Sequence, residues 1–286
     1  MKCFYHNDLD GRCAGSIVAL YERNFNKEDF FEVDYVMELP LEKIQKDERV
    51  YFVDYSFKKD TVWQLTQILK KTSDVIWIDH HTSSLNLEEE LPWVKEVEGI
   101  RQDKISGAGL TYMYLYNCSF DNLPYYIKLV SDYDCWVYDF DPDTTYFKIG
   151  VDTKNFDALD DIWIELFDAK SIYAVVNNII EIGKVIKGYI DQDNNYYRNH
   201  FSYESEIEGY KCLVVNRKSN SWVFGDKYNK YPLVIVWVFD GKKYTYSIFS
   251  SNKDIDCSKI AERFGGGGHR GAAGFSSDEL LFKKTT

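Results

Sequence analysis

The sequence lacks long apolar runs, paired cysteines and low-complexity tracts, and it has few prolines. Its 286 residues include 5 prolines and 6 cysteines, and the cysteines are scattered without a C-x-x-C pair. This spacing indicates neither a zinc knuckle nor a disulfide framework, and scattered thiols suit a reducing compartment. No segment approaches about 18 uninterrupted apolar residues, and the amino terminus shows no signal-peptide pattern. We therefore expect a cytoplasmic protein that does not associate with membranes.

Basic residues are also in the minority. The 34 Lys and Arg residues stand against 46 Asp and Glu residues, which gives a formal net charge of −12. Long polyanions bind proteins through many Lys and Arg contacts, so this charge argues against stable binding of duplex DNA. A small anion can still bind where metal ions reverse the local field. Hydrophobic residues make up 45% of the chain, so we expect a folded protein with ordinary cores.

The first half of the chain alternates short apolar runs with amphipathic segments. Strands are predicted at Lys2–Tyr5, Val50–Val53 and Val75–Ile78, and a helix is predicted at Gly11–Arg23. Apolar strands that alternate with such helices are typical of βαβ units. We therefore expect a doubly wound parallel α/β domain.

A second, smaller domain is predicted after one long helix. An apolar stripe from Ile172 to about His200 indicates this helix, and a turn at Asp240-Gly241 lies among the strand patterns that follow it. These patterns favour a mixed-sheet α/β domain. We place the first domain at residues 1–170, the linker helix at 171–204 and the second domain at 205–286.

Acidic residues and histidines follow three of the predicted strands directly. Ligands of open parallel sheets bind beyond the carboxyl ends of the strands, so these side chains are expected to converge. Singly, each is typical of a helix cap, a turn or a structural histidine, but their joint occurrence favours a metal site. The residues are His6, Asp8 and Asp10, then Asp54, and then Asp79, His80 and His81.

The types of these residues indicate which metals they suit. Carboxylates at close range repel one another unless cations hold them together, and His with Asp suits Mn²⁺, Fe²⁺ or Zn²⁺. This number of potential ligands is too large for one open catalytic metal and suits two metals that share a bridging carboxylate. Such a two-metal centre activates water and holds a phosphoryl group. The predicted cluster contains no cysteine, which disfavours a structural zinc site.

These motifs resemble those of the DHH phosphoesterase superfamily, which is named for the triplet found here as Asp79-His80-His81. The segment from His6 to Gly11 resembles the first motif of the superfamily, His-x-Asp-x-Asp-Gly, in the version found in RecJ-like members. Val53-Asp54-Tyr55-Ser56 resembles the second motif, and Ser131-Asp132-Tyr133-Asp134 is the candidate for the fourth. Residues 264–275 resemble the signature of the associated DHHA1 domain. The matching motifs lie toward both ends of the chain, and they occur in the same order as in the family.

The resemblance implies a role for each of these residues. Asp79 is expected to orient a histidine, and His81 is expected to face the substrate phosphate. The resemblance implies two metal ions per chain. The usual metal of the family is Mn²⁺, and other divalent metals are possible substitutes. In the fourth motif Asp132 is the favoured ligand, since it follows an apolar run, and Asp134 is the alternative. The implied ligands are His6 and Asp8 for one ion, Asp10, His80 and Asp132 for the other, and Asp54 as the bridge.

Four consecutive glycines precede His269 and Arg270 near the carboxyl terminus. A glycine run is often a flexible linker, but the predicted helix before it and the two cationic residues favour an anion-binding loop. No Lys-Ser/Thr pair follows, so it is not a Walker loop. Phe249 stands where many family members have an Arg, so substrate contacts differ there. The resemblance implies substrate binding by Gly266, Gly267, Gly268, His269 and Arg270.

The resemblance also implies the reaction. RecJ-like nucleases, oligoribonucleases and nucleotide-bisphosphate phosphatases of this superfamily hydrolyse phosphodiesters or phosphomonoesters. The negative charge favours short oligonucleotides, dinucleotides or nucleotide bisphosphates as substrates. A single-strand-specific exonuclease is an alternative, although no Lys/Arg-rich block is present to form its groove. A catalytically silent nucleotide-binding regulator and a polyphosphate or pyrophosphate hydrolase are further alternatives. The base preference, the strand polarity, the native metal and the oligomeric state stay open.

Overall fold

The computed structural model describes residues 1–35, 37–154, 156–168 and 170–284. The chain divides into two compact units, Met1–Ile186 and Lys187–Thr286. Among the described residues, no helix combines the length and the apolar character that crossing a bilayer requires.

The first unit is built on a four-stranded parallel sheet. Its strands are β1 (Lys2–His6), β2 (Phe30–Val33), β3 (Val50–Val53) and β4 (Val75–Ile78), in the spatial order β2-β1-β3-β4. The three strands predicted from the sequence are confirmed to within one residue. The helices of this unit are α1 (Leu9–Glu22), α2 (Val62–Lys71), α3 (Thr82–Glu90), α4 (Gly107–Tyr116), α5 (Tyr125–Asp134), α6 (Asp143–Val151) and α7 (Asp161–Phe167).

Helices cover both faces of this sheet. Successive strand residues point to opposite sides, so a strand covered on both faces must be apolar at every position, as β3 and β4 are. Tyr5 and Tyr51 lie in a core with residues of α1, α4 and α5, while Phe52 and Trp77 lie in a second core with residues of α2 and α3. The predicted doubly wound parallel arrangement is confirmed.

A long helix, α8 (Ile172–His200), begins in the first unit and ends in the second, and the division between the two compact units falls within it. Its bounds match the helix predicted from the apolar stripe. The predicted domain borders at residues 170 and 205 lie on either side of this helix.

The elements of the second unit after α8 are β5 (Ser202–Ile207), β6 (Tyr210–Asn216), β7 (Leu233–Phe239), β8 (Tyr244–Phe249), α9 (Cys257–Arg263), β9 (Gly267–His269) and β10 (Ala272–Ser277). The strands form a mixed six-stranded sheet in the order β5-β6-β7-β8-β10-β9. Only β6 and β7 pair in parallel; the other described pairs are antiparallel. One face packs against α9, and the other packs against Tyr197, Val223 and Phe224. The predicted smaller mixed-sheet domain is confirmed.

Candidate metal centre

The residues that follow β1, β3 and β4 form a cluster of His and Asp side chains in the first unit. The strands are parallel, so their carboxyl ends lie at one edge of the sheet. Three groups of candidate ligand atoms lie there, and within each group the atoms are no more than 4.8 Å apart. The groups are His6, Asp8 and Asp54; Asp54, His80 and His81; and His80, Asp134 and Cys135.

Asp54 belongs to two of these groups. Asp54 is only 1% exposed, and neither of its carboxylate oxygens has a hydrogen-bond partner. Oδ1 lies 3.3 Å from His80 Nε2 and 3.9 Å from His81 Nδ1, and Oδ2 lies 4.0 Å from His6 Nδ1. Burial, together with the charges of Asp10 and Asp8, raises the pKa of Asp54 well above its usual range. A buried carboxylate that accepts no hydrogen bond is costly, so this side chain is suited to a cation.

The N-terminus of α4 holds Asp10 beside Asp54. The backbone N–H groups of Gly107 and Ala108 donate to the Asp10 carboxylate at 2.6 and 3.0 Å. A helix N-terminus favours a negative charge, so this contact stabilises the carboxylate. A Cβ on Gly107 would lie 2.5 Å from the Asp54 Cβ, so only glycine permits this close approach. The sequence analysis missed this segment, although Ser106 before Gly-Ala-Gly is a common N-cap pattern.

Asp8 both caps α1 and contacts His6. One carboxylate oxygen accepts a hydrogen bond from the Gly11 N–H at 2.9 Å, and the other lies 2.7 Å from His6 Nδ1. Burial on its own raises the pKa of Asp8, but the hydrogen bonds with His6 and Gly11 outweigh it and lower the pKa to about 2. The ring of Tyr35 packs against His6, with centroids 5.0 Å apart, a contact that the sequence analysis did not anticipate.

Asp79 orients His81. Its Oδ1 lies 2.7 Å from His81 Nδ1, and its Oδ2 accepts a hydrogen bond from the Ser84 hydroxyl. The Asp79 residue is completely buried, so both contacts hold its carboxylate in one orientation. The histidine that Asp79 touches is therefore His81, which fits the predicted orienting role.

His80 contacts Asp134, the alternative ligand of the fourth motif. Its Nε2 lies 3.2 Å from Asp134 Oδ2 and 3.8 Å from Asp10 Oδ2. Burial on its own lowers the pKa of His80, but a hydrogen bond with Cys135 and the charges of Asp10 and Asp134 outweigh it and raise the pKa to about 10. The surroundings of Nε2 thus favour a positive charge.

Asp132, the favoured ligand, faces elsewhere. Its carboxylate accepts hydrogen bonds from the backbone N–H groups of Asp139 and Phe140, at 2.8 and 3.1 Å, and from the Thr144 hydroxyl. The helix α5 continues to Asp134, so Asp132 lies within its last turn instead of after it. Positions two apart on a helix point about 200° apart, so only one of the two can face the cluster. Asp134, and not Asp132, therefore faces the cluster, so the ligand proposed for the fourth motif is Asp134.

Cys135 also reaches the cluster, in a group with His80 and Asp134. The expectation that the cluster contains no cysteine is therefore wrong. The signal in the sequence was the position of Cys135 directly after a candidate ligand.

The glycine segment of the second unit is structured. Gly267–His269 forms β9, which pairs with β10, and Gly268 has a φ of +146°, a conformation that side chains with a Cβ rarely adopt. His269 and Arg270 are exposed, and Arg270 Nε donates to the Lys253 carbonyl at 3.0 Å. Phe249 is half-buried in β8. Substrate binding by this segment stays a prediction.

The donor set of the first unit fits a pair of divalent ions. Donors that bind one ion at about 2.1 Å stand roughly 3 Å apart, close to the 3.2 and 3.3 Å between His80 Nε2 and the oxygens of Asp134 and Asp54. Asp54 is shared between two groups and has unpartnered oxygens, as a bridging ligand requires. Mixed imidazole and carboxylate donors suit Mn²⁺ and its neighbours in the first transition row.

No protein-family model matches the chain. Two curated proteins are similar in sequence. An uncharacterized protein of Acanthamoeba polyphaga mimivirus, R106, is 25% identical over 248 residues, which cover 82% of this chain and 54% of that protein. The chain thus spans about half the length of R106. Oligoribonuclease NrnB of Bacillus subtilis is 25% identical over an alignment of 312 residues, which covers 98% of this chain and 73% of NrnB.

Two solved structures share the fold. The pGpG-specific phosphodiesterase PggH from Vibrio cholerae is 11% identical with a TM-score of 0.59, and the match covers 97% of this chain and 94% of PggH. RecJ from Thermus thermophilus, solved in complex with Mn²⁺, is 15% identical with a TM-score of 0.51. That match covers 98% of this chain and 50% of RecJ. At these identities the likeness shows a common fold.

Proposed function

We propose that this chain, which is a member of the DHH phosphoesterase superfamily, hydrolyses phosphodiester bonds in short oligoribonucleotides with the help of two divalent metal ions. The observation that carries the proposal is the buried Asp54 carboxylate, which lies between two groups of His and Asp ligands and has no hydrogen-bond partner. A binding module that only holds a nucleotide has no use for such a costly arrangement.

The metal ligands are proposed as two sets that share Asp54. A bound pair of ions supplies Lewis acidity at the phosphoryl oxygens and lowers the pKa of water. Mn²⁺ is the proposed metal, because the donors are imidazole nitrogens and carboxylate oxygens. One set is His6 and Asp8, and the other is Asp10, His80 and Asp134.

His81 is proposed to contact the substrate phosphate. Its Nδ1 is engaged by Asp79, so its Nε2 is the nitrogen left to donate to a phosphate oxygen. The hydrogen bond from Ser84 to Asp79 fixes the carboxylate and, through it, the ring. The role of this pair is to orient one hydrogen-bond donor toward the substrate.

A cavity next to the candidate metal ligands has a size that suits a nucleotide. The cavity has a volume of about 360 Å³ and is bordered by Asp8, Asp10 and Asp134. Arg12 and Lys148 also line it, and their charges are matched by the carboxylates of Glu32 and Asp152. The cavity therefore carries no strong excess of positive charge for a long polyanion.

The short substrate is supported by the similarity to NrnB, an oligoribonuclease, over 98% of this chain, and by the net charge of −12. We propose that the glycine segment takes part by binding a substrate phosphate, because its backbone and its two exposed cationic residues suit an anion. Its members are Gly266, Gly267, Gly268, His269 and Arg270.

A hydrolysis panel with Mn²⁺ tests this proposal. It contains a five-nucleotide RNA, a linear dinucleotide, a cyclic dinucleotide, long single-stranded DNA, adenosine 3′,5′-bisphosphate and polyphosphate. We expect the two short linear RNAs to be cleaved fastest, and we expect chelation to abolish cleavage and Mn²⁺ to restore it.

Each other outcome contradicts a defined part of the proposal. Faster cleavage of long single-stranded DNA indicates an exonuclease, and preference for polyphosphate indicates a different substrate class. Nucleotide binding without hydrolysis indicates a regulator. Full activity after exhaustive chelation excludes the metal mechanism.

A further inference from the structure

Cys135 differs from the other cysteines in its surroundings. Cys3, Cys13, Cys212 and Cys257 are buried, and each belongs to a hydrophobic core. Cys118 is half-buried and packs against the first core. Cys135 is half-buried too, but its thiol lies among the polar groups of His80 and Asp134. Among the described residues, it is the one cysteine that shares a group of candidate metal ligands.

The backbone holds Cys135 in this place. The residue ends α5, and its N–H donates to the Ser131 carbonyl at 3.0 Å. The next N–H groups close the turn, since Trp136 donates to Tyr133 and Val137 donates to Asp132. Asp134 and Cys135 therefore enter the cluster together from one rigid helix end.

The surroundings of this thiol suit a cation. Its neighbour His80 Nε2 lies 3.2 Å from Asp134 Oδ2 and 3.3 Å from Asp54 Oδ1. The Asp54 oxygens are buried and have no hydrogen-bond partner, so the ligand group that shares His80 with Cys135 is also suited to a cation. The Cys135 thiol, in its own group with His80 and Asp134, can supply a soft ligand when it loses its proton.

We infer that Cys135 is a ligand of the metal that His80 and Asp134 hold, and that it raises the affinity of this position for Zn²⁺ and Co²⁺ more than its affinity for Mn²⁺. On binding, the S–H bond breaks, a sulfur–metal bond forms, and the proton passes to solvent. Thiolate sulfur selects softer ions, whereas Mn²⁺ favours oxygen and imidazole donors. This inference rests on the metal centre of the proposed function and adds a ligand that the sequence motifs do not include.

Binding of Co²⁺ to the 286-residue chain tests the inference without any substrate. A cobalt–thiolate bond produces a near-ultraviolet charge-transfer absorption that oxygen and nitrogen ligands do not produce. We expect this absorption in the unmodified protein and in Cys118→Ser, and we expect its loss in Cys135→Ser. Cys118→Ser is the matched control, because Cys118 is also a half-buried thiol of the first unit.

Competition between Zn²⁺ and Mn²⁺ gives a second, independent readout. In Cys135→Ser the affinity for Zn²⁺ should fall at least about tenfold, while that for Mn²⁺ should change less than about threefold. Bound Zn²⁺ should also protect Cys135, but not Cys118, from alkylation.

The outcomes separate this inference from the proposed function. Tight Co²⁺ binding without the thiolate absorption, or an absorption that persists in Cys135→Ser, overturns the role of Cys135 and leaves the metal centre intact. Failure of the unmodified protein to bind any divalent ion overturns both. Loss of the absorption in Cys135→Ser, together with hydrolysis of the five-nucleotide RNA by the unmodified protein in Mn²⁺, supports both.

Discussion

Asp132 and Asp134 are two positions apart on α5, and their carboxylates have different partners. Asp134 lies beside His80, whereas Asp132 accepts hydrogen bonds from Asp139, Phe140 and Thr144. Asp134→Asn should therefore weaken metal binding at least about tenfold and leave the metal-free protein about as stable as before. Isothermal titration with Mn²⁺ measures the first effect, and thermal unfolding with a chelator measures the second.

Asp132→Asn is the matched control for that prediction. It replaces a charged acceptor by an amide whose NH₂ group cannot accept, so the free energy of unfolding should fall by about 1–3 kcal/mol. Metal affinity should stay within about threefold of the unmodified protein. The reverse pattern, with metal lost in Asp132→Asn and kept in Asp134→Asn, would restore Asp132 as the ligand.

Asp54→Asn should have opposite effects with and without metal. In the metal-free protein it removes a buried carboxyl group whose oxygens have no hydrogen-bond partner and whose pKa is raised well above its usual range, so the free energy of unfolding at neutral pH should rise by about 1–3 kcal/mol. With Mn²⁺ the unmodified protein gains stability from binding, and the variant should gain little. Thermal unfolding in a chelator and in Mn²⁺ measures both effects. A variant that still binds two ions tightly per chain, as shown by metal analysis, refutes the shared role of Asp54.

At the scale of the elements, the metal centre depends on how closely α4 approaches β3. Gly107→Ala places a Cβ 2.5 Å from the Asp54 Cβ, so α4 must move away and withdraw its N–H groups from Asp10. We expect a loss of about 1–3 kcal/mol in the free energy of unfolding, together with weaker Mn²⁺ binding. Denaturant unfolding and metal titration measure the two losses.

Gly188→Ala is the control for a glycine in a helix. Gly188 lies in α8, and a Cβ there meets nothing within 4 Å. This change should increase the free energy of unfolding by about 0.5–1 kcal/mol and leave Mn²⁺ binding unaltered. If Gly107→Ala behaves like Gly188→Ala, the close approach of α4 is not what holds Asp10.

For the whole molecule, the question is whether the second unit contributes to substrate use. His269→Ala should lower kcat/KM on a five-nucleotide RNA by about tenfold to a hundredfold, because a lost charge-assisted hydrogen bond costs about 1.5–3 kcal/mol. Metal content should not change, since His269 lies in the second unit and the candidate ligands lie in the first. Arg270→Ala is a less direct test, because Arg270 also binds the Lys253 carbonyl.

A small generic phosphodiester serves as the comparison substrate for His269→Ala. Such a compound lacks the additional phosphates of an oligonucleotide, so its hydrolysis should be nearly unchanged. Equal losses on both substrates, or loss of bound metal, would show that the segment supports the fold instead of binding the substrate.

The sequence by itself determined the architecture and most residues of the candidate metal centre. Fully apolar runs at Val50–Val53 and Val75–Ile78 require cover on both faces, and this requirement favours a parallel sheet between helices. Residues that follow parallel strands must then meet at one edge, which is why His6, Asp54 and His80 could be placed together before the structure was known.

Only the tertiary structure decided which residues the helices add to this edge. Whether Asp132 or Asp134 faces His80 depends on the rotation of α5 about its axis, and packing against α4 and α6 fixes that rotation. The same rotation brings in Cys135, and the docking of α4 brings the N–H groups of Gly107 and Ala108 to Asp10. Strand alternation and motif spacing are local properties of a sequence. Which side of a helix points toward a site depends on contacts between residues far apart in the chain. Those contacts cannot be inferred from the pattern of a single sequence.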